Sequence, residues 1–226
     1  MNYSKFCNEA KLVDDQTLKR AQVDLAFVAV NFDDDQVEGN PQRAICRYEF
    51  MEMLVRLAAS KYIKDKKSEM THAEALDKFI SEDLLKHYTL PPWQEFRDKE
   101  LWTKEVDSVI RLNLGNINSL HSRLTAIPDD QSGHKQYKAI SDMVMGDTPV
   151  ELTAAEAAFC FGMSKMTLVE DVGERSTDYF KMKQVEFYEF LGRAASLRFS
   201  SKKQEPLHTK IEKLLDMILP AYDMER

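Results

Sequence analysis

Glu49-Phe-Met-Glu-Met-Leu-Val-Arg-Leu-Ala58 returns later in the chain as Glu186-Phe-Tyr-Glu-Phe-Leu-Gly-Arg-Ala-Ala195. Six of the ten positions are identical, in the pattern E-F-x-E-x-L-x-R-x-A. Apolar residues fall at 50, 54, 57 and 58 in the first copy, the spacing of one buried face of an α-helix. Two copies in one chain point to a duplicated helical unit. The expected fold is all-α: two lobes of paired helix–loop–helix units with extra helices, over residues 1–130 and 131–226.

Composition agrees. In 226 residues, 43% hydrophobic residues supply a core, and only 7 Gly and 7 Pro leave few tight turns for a barrel or sandwich. A net charge of −7 disfavours nucleic acid as partner, since phosphate binding relies on basic patches. No run nears the ~18 apolar residues of a membrane span, so no membrane insertion is expected. Residues 1–11 have no signal-peptide core, and Cys7, Cys46 and Cys160 are odd in number and widely spaced. Reduced thiols in the cytoplasm follow.

Working outward from the repeat, residues 1–13 lack a period and read as a lead-in. Leu18, Ala21, Leu25, Val28 and Phe32 repeat at helical spacing behind a cap at Asp14 or Asp15, and 33–41 is loop. Thr71-His-Ala-Glu74 and Thr153-Ala-Ala-Glu156 are capping boxes, each closing two free amides at a helix start. The first opens a helix carrying Leu76, Phe79, Ile80 and Leu84. The second leads into Ala158, Phe159, Gly162 and Met163. Pro92 suits a first helical position, with Trp93 and Trp102 at core spacing, and the stripe Val106, Val109, Ile110, Leu114 runs toward Leu124. Residues 128–135 are the expected lobe boundary. A helix with Tyr137, Ile140, Met143 and Val144 follows it, 169–178 is loop, and Pro206 opens a last helix through Ile218.

Each copy follows a polar stretch, with an apolar residue four before the glutamate (Ile45, Met182) and a phenylalanine after it (Phe50, Phe187). This resembles the exit of an EF-hand loop, calmodulin-like but degenerate, where the twelfth residue is a bidentate glutamate. The first copy is also similar to a divergent EF-hand-related group of ciliate and flagellate protists. That resemblance implies a subunit of a cytoskeletal assembly, with a cilium axoneme as the setting it points to. The loops depart from the ion-binding pattern. Glu38, Asn40 and Gln42 precede Glu49 with Arg43 at the glycine position; Arg175, Thr177 and Tyr179 precede Glu186 with Phe180 there. No metal or cofactor is expected. Were calcium bound, Asp33, Asp35 and Glu49 would be its candidate ligands. Capping, or pairing with Arg56 and Arg193, explains both glutamates without an ion.

No HExxH, GxSxG, Walker or GxGxxG motif occurs, and His72-Ala-Glu74 lacks the second zinc element of a deaminase. An enzyme built from scattered groups such as Glu156, His121 and Asp142 is the remaining catalytic reading. Met143, Met163, Met166 and Met182 suggest a pliable groove for an amphipathic helix of a protein partner. The function expected is therefore non-enzymatic: a calcium-independent structural or adaptor subunit. The alternative is a calcium-responsive EF-hand regulator.

Overall fold

The computed structural model describes residues 3–14, 16–32, 45–63, 69–88, 93–126, 133–166 and 173–223. Among them the chain is all-helical and has no strand; Met145 and Leu152 form an isolated bridge. It divides into two compact units. One comprises Met1–Pro91 with Glu170–Ser176, the other Pro92–Val169 with Thr177–Arg226. Of residues 128–135, expected to separate two lobes, 128–132 lie outside the described residues.

In the first unit, α1 (Tyr3–Glu9), α2 (Arg20–Val30), α3 (Arg47–Tyr62) and α4 (His72–Lys78) enclose a core that includes Phe6, Leu18, Val23, Met53, Leu57 and Phe79. The N-terminal lead-in is a structural helix. Phe6 and Cys7 are buried, the Tyr3 hydroxyl donates to the Val23 carbonyl at 2.6 Å, and the Phe6 ring meets Phe50 edge-on at 5.3 Å. Its three apolar residues, Tyr3, Phe6 and Cys7, are too few to show a period, which hides it in the sequence. Asp14 closes the turn before α2, accepting from the amides of Gln16 (2.8 Å) and Leu18 (3.2 Å) and from Thr17, and is not a helix cap. The expected phase of α2 is also corrected. Val23, Ala26 and Val30 face inward, while Leu25, Val28 and Phe32 stand exposed.

The second unit is built on α10 (Gln184–Arg198), in which Phe187 and every residue from Glu189 to Ala195 is buried. Around it lie α5 (Trp93–Phe96), a π-helical turn Arg97–Leu101, α6 (Lys104–Leu112), α7 (Leu114–Thr125), α8 (His134–Asp142), α9 (Ala154–Ser164) and α11 (Leu207–Ile218). Asn113 breaks the long apolar stripe into α6 and α7, its side-chain amide donating to the Val109 carbonyl at 2.8 Å. Helix α9 buries Ala157, Cys160 and Phe161, and the expected Ala158, Phe159 and Gly162 face solvent. Of residues 169–178, read as loop, 173–178 belong to a 3-10 helix, Gly173–Phe180. Gly133 sits at φ 75°, where a β-carbon would also meet the Thr177 carbonyl at 2.8 Å, so only glycine fits before α8.

Five helices begin alike. The third residue of each reaches back to the amide of the residue before the helix: Gln22 to Lys19 (2.9 Å), Glu49 to Cys46 (2.7 Å), Glu74 to Thr71 (2.8 Å), Glu156 to Thr153 (2.9 Å) and Glu186 to Lys183 (2.7 Å). Thr71 and Thr153 complete the box by accepting from Glu74 and Glu156. Each such bond satisfies an amide that a helix start leaves without a partner, and the four glutamates also place a negative charge at the positive end of the helix dipole.

Hydrogen bonds hold several carboxyls below the ordinary range, among them Asp14 through the Thr17 hydroxyl, Glu74 through the Thr71 amide and Glu156 through the Thr153 hydroxyl. Their contribution to stability is complete above the unfolded carboxylate pKa, about 4, and is lost as pH falls through the lower folded values. The melting temperature followed by circular dichroism is expected to hold level from neutral pH to about 5 and to fall below that. Thr153→Ala, costing about 1 kcal/mol, should make that acid-side fall shallower; a melting temperature independent of pH down to 3 would refute this assignment.

Candidate functional site

In the second unit a groove of about 710 Å³ runs beside α6, lined by Leu101, Trp102, Val106, Ile110, Leu114 and Tyr188. The π-helical turn makes it. The Trp102 amide donates five residues back, to the Arg97 carbonyl at 2.9 Å, and the chain leaves the helix there. Leu101 is fully buried in the floor, while Trp102 keeps 48% of its surface exposed. Thr103 then caps α6, its hydroxyl accepting from the Val106 amide at 3.3 Å. Leu101 lies so close to α10 that a β-carbon on Gly192 would stand 2.6 Å from its Cδ1. Tyr188 forms a wall and donates to the Asn118 side-chain oxygen at 3.0 Å, and burial raises its phenol pKa. Lys104, Asp107 and Arg111 line the rim, the last two paired at 2.7 Å.

A buried ionic cluster anchors this turn. Glu189, with no exposed surface, receives the Arg97 Nε on both oxygens at 2.9 Å and the Arg193 Nε and Nη2 at 2.8 and 2.7 Å. Arg97 also donates to the Met163 carbonyl at 3.3 Å, and the Arg193 guanidinium lies 4.6 Å over the Phe96 ring. Two cations on one carboxylate, each with further partners, hold the base of the groove to α10.

The methionines expected to form a pliable groove do not share a surface. Met143 and Met182 are core residues, Met163 is half-buried and Met166 is exposed. Their backbones do more: the Met182 carbonyl bonds His121 Nε2 at 2.8 Å, and the Met166 amide donates to Glu186 at 2.8 Å. Trp102, which sequence spacing places in the core, stands half exposed, because its position depends on the π-helical turn.

The candidate ion ligands divide. Asp33 and Asp35 lie outside the described residues. Glu49 is 2% exposed and caps α3. Glu186 is 1% exposed, and its oxygens take the Lys183 and Met166 amides and the Lys165 ammonium at 2.8 Å. Among the described residues no group of three His, Cys, Asp or Glu is placed to hold a metal. Glu156 is engaged in its capping box, and Asp142 pairs with Lys138.

A p25-alpha family model matches residues 1–139, more than half of the sequence, and the chain belongs to that family. The match takes in Met1–Pro91 of the first unit and, from the second, α5, the π-helical turn, α6, α7 and part of α8; α10 lies beyond it. The family is cytoskeleton-associated and non-enzymatic, and this chain is not an enzyme. No curated protein and no solved structure matches it. The match corrects the EF-hand resemblance, since p25-alpha is a different family. The repeated glutamates that carried that resemblance are helix caps. No described helix is long and apolar enough to cross a membrane.

The repeat itself gives a sharp contrast. Glu189 and Arg193 are buried, whereas Glu52 and Arg56, at the same repeat positions, pair at 2.6 Å with about half their surface exposed. Glu189→Ala leaves two cations without their shared anion and is expected to cost about 3–5 kcal/mol, a fall of about 10 °C in melting temperature for a chain of this size. Glu52→Ala should cost about 1 kcal/mol or less. Equal shifts in calorimetry would show that the buried cluster is not the anchor described.

Proposed function

We propose that this chain is a cytoskeletal adaptor that holds a helical segment of a larger assembly in the α6 groove, without calcium. The observation that carries it is Trp102, half exposed at the mouth of an apolar groove whose base is fixed by a buried ionic cluster. Tryptophan in a preformed apolar recess is the residue type most often found to dominate a protein interface. Docking an amphipathic helix calls for a run of apolar side chains at i, i+4 and i+7 against such a floor, and the charges of Lys104, Asp107 and Arg111 would set its orientation. Membership of a family of the tubulin polymerization-promoting type supports a microtubule setting, and an axoneme is the specific setting proposed.

Co-sedimentation with microtubules or isolated axonemes tests this. Trp102→Ala is expected to weaken binding about 30-fold, the loss that goes with a hot spot of about 2 kcal/mol, while Phe159→Ala, on the exposed face of α9, leaves it unchanged. Calcium and a calcium chelator should give the same binding curve. Undiminished binding by Trp102→Ala would overturn the groove assignment, and a calcium-dependent curve would overturn the calcium-independence.

A further inference from the structure

Glycine is a costly residue in the middle of a helix, because it gives up more conformational freedom there than any other. Gly115 in α7 and Gly162 in α9 have open space where a β-carbon would stand. Gly192, in the middle of α10, does not. A β-carbon there would lie 2.6 Å from Leu101 Cδ1 and 3.9 Å from Ile211 Cδ1. In the first copy of the repeated stretch the same position is Val55, half-buried on α3. The two copies differ at four positions, and this is the one at which the second copy has no side chain.

Gly192 follows Tyr188 by one helical turn, so the two share a face of α10. Tyr188 forms a wall of the groove on that face, and Gly192 lies under its floor, against Leu101. Leu101 is thus held between α10 and the groove. Helix α10 has no room to retreat. Glu189 ties it to Arg97, Glu186 ties it to Lys165 and Met166, and Ile211 of α11 packs beside Gly192. A side chain at position 192 would therefore displace the tip of Leu101 away from α10 and up into the groove.

We infer that Gly192 is the positioning residue of the groove: its missing side chain sets the depth at which Leu101 lies, and with it the space open to the partner. The inference rests on the reading of the groove as the binding site. Gly192 acts through Leu101, since it is itself buried beneath the floor. It also lies beyond residues 1–139, the part of the chain that the family model matches.

Co-sedimentation of the full-length chain with microtubules, run beside thermal melts, tests it. Gly192→Ala adds a good helix former, so its melting temperature should change little. Its binding is expected to weaken about 10-fold, as a raised floor takes up the partner's space. Adding Leu101→Val removes the atom in conflict. The double variant should melt lower than Gly192→Ala, having lost a buried methylene, and yet bind as wild type does. A role in stability alone would move binding and melting temperature together. Wild-type binding by Gly192→Ala, or a loss that Leu101→Val leaves in place, overturns the inference. If Gly192→Ala binds normally while Trp102→Ala does not, the role of Gly192 fails and the groove reading stands. If Trp102→Ala also binds normally, both fail.

Discussion

A glutamate bonded back to the amide that precedes its own helix is the constraint on which both units depend. Glu49 and Glu186 are almost wholly buried, and a carboxylate out of water is tolerated only where donors surround it. The amide of the preceding residue is one such donor, at 2.7 Å in both cases. That bond fixes the helix start, and with it the phase of every apolar side chain that follows. In α10 the same carboxylate also takes the Lys165 ammonium and the Met166 amide, so the exit of α9 is tied to the entry of α10.

From that fixed start, α10 carries the second buried acid to the place where the groove needs it. Glu189 lies one turn beyond Glu186 and draws in Arg97 and Arg193. Arg97 is the first residue of the π-helical turn, whose wider bonding turns Leu101 inward and Trp102 outward. The open apolar feature of the second unit is thus a consequence of polar interactions beneath it. A groove held in this way keeps its shape without a partner, which reduces the ordering cost of binding.

The sequence was most legible where local chemistry decides the outcome. Both Thr-x-x-Glu boxes are visible because each supplies both halves of the cap, and Pro206 marks the start of α11. The caps at Lys19, Cys46 and Lys183 were not visible as boxes, since those residues lack the hydroxyl or carboxylate that signals a helix start. The glutamate left over in two of them then resembles an ion ligand. The phase of α2 was misread because both its faces are apolar, and spacing alone cannot rank two such faces. The face of α9 slipped by one residue in an alanine-rich run, where neighbouring positions are nearly equal in hydrophobicity. Trp102 was misplaced because a π-helical turn alters the residue count per turn on which the spacing argument relies.

By itself the sequence determined an all-α chain, the starts of its main helices and the lack of any familiar catalytic motif. These depend on propensity, capping and composition, which act over a few residues. The tertiary structure alone decided the fate of the ten residues written twice. In α3 the pair Glu52–Arg56 faces water; in α10 the matching Glu189–Arg193 is sealed beneath neighbouring helices and anchors a groove. The letters are the same, but the energy of a charge depends on what surrounds it, and those surroundings come from residues far away in the chain.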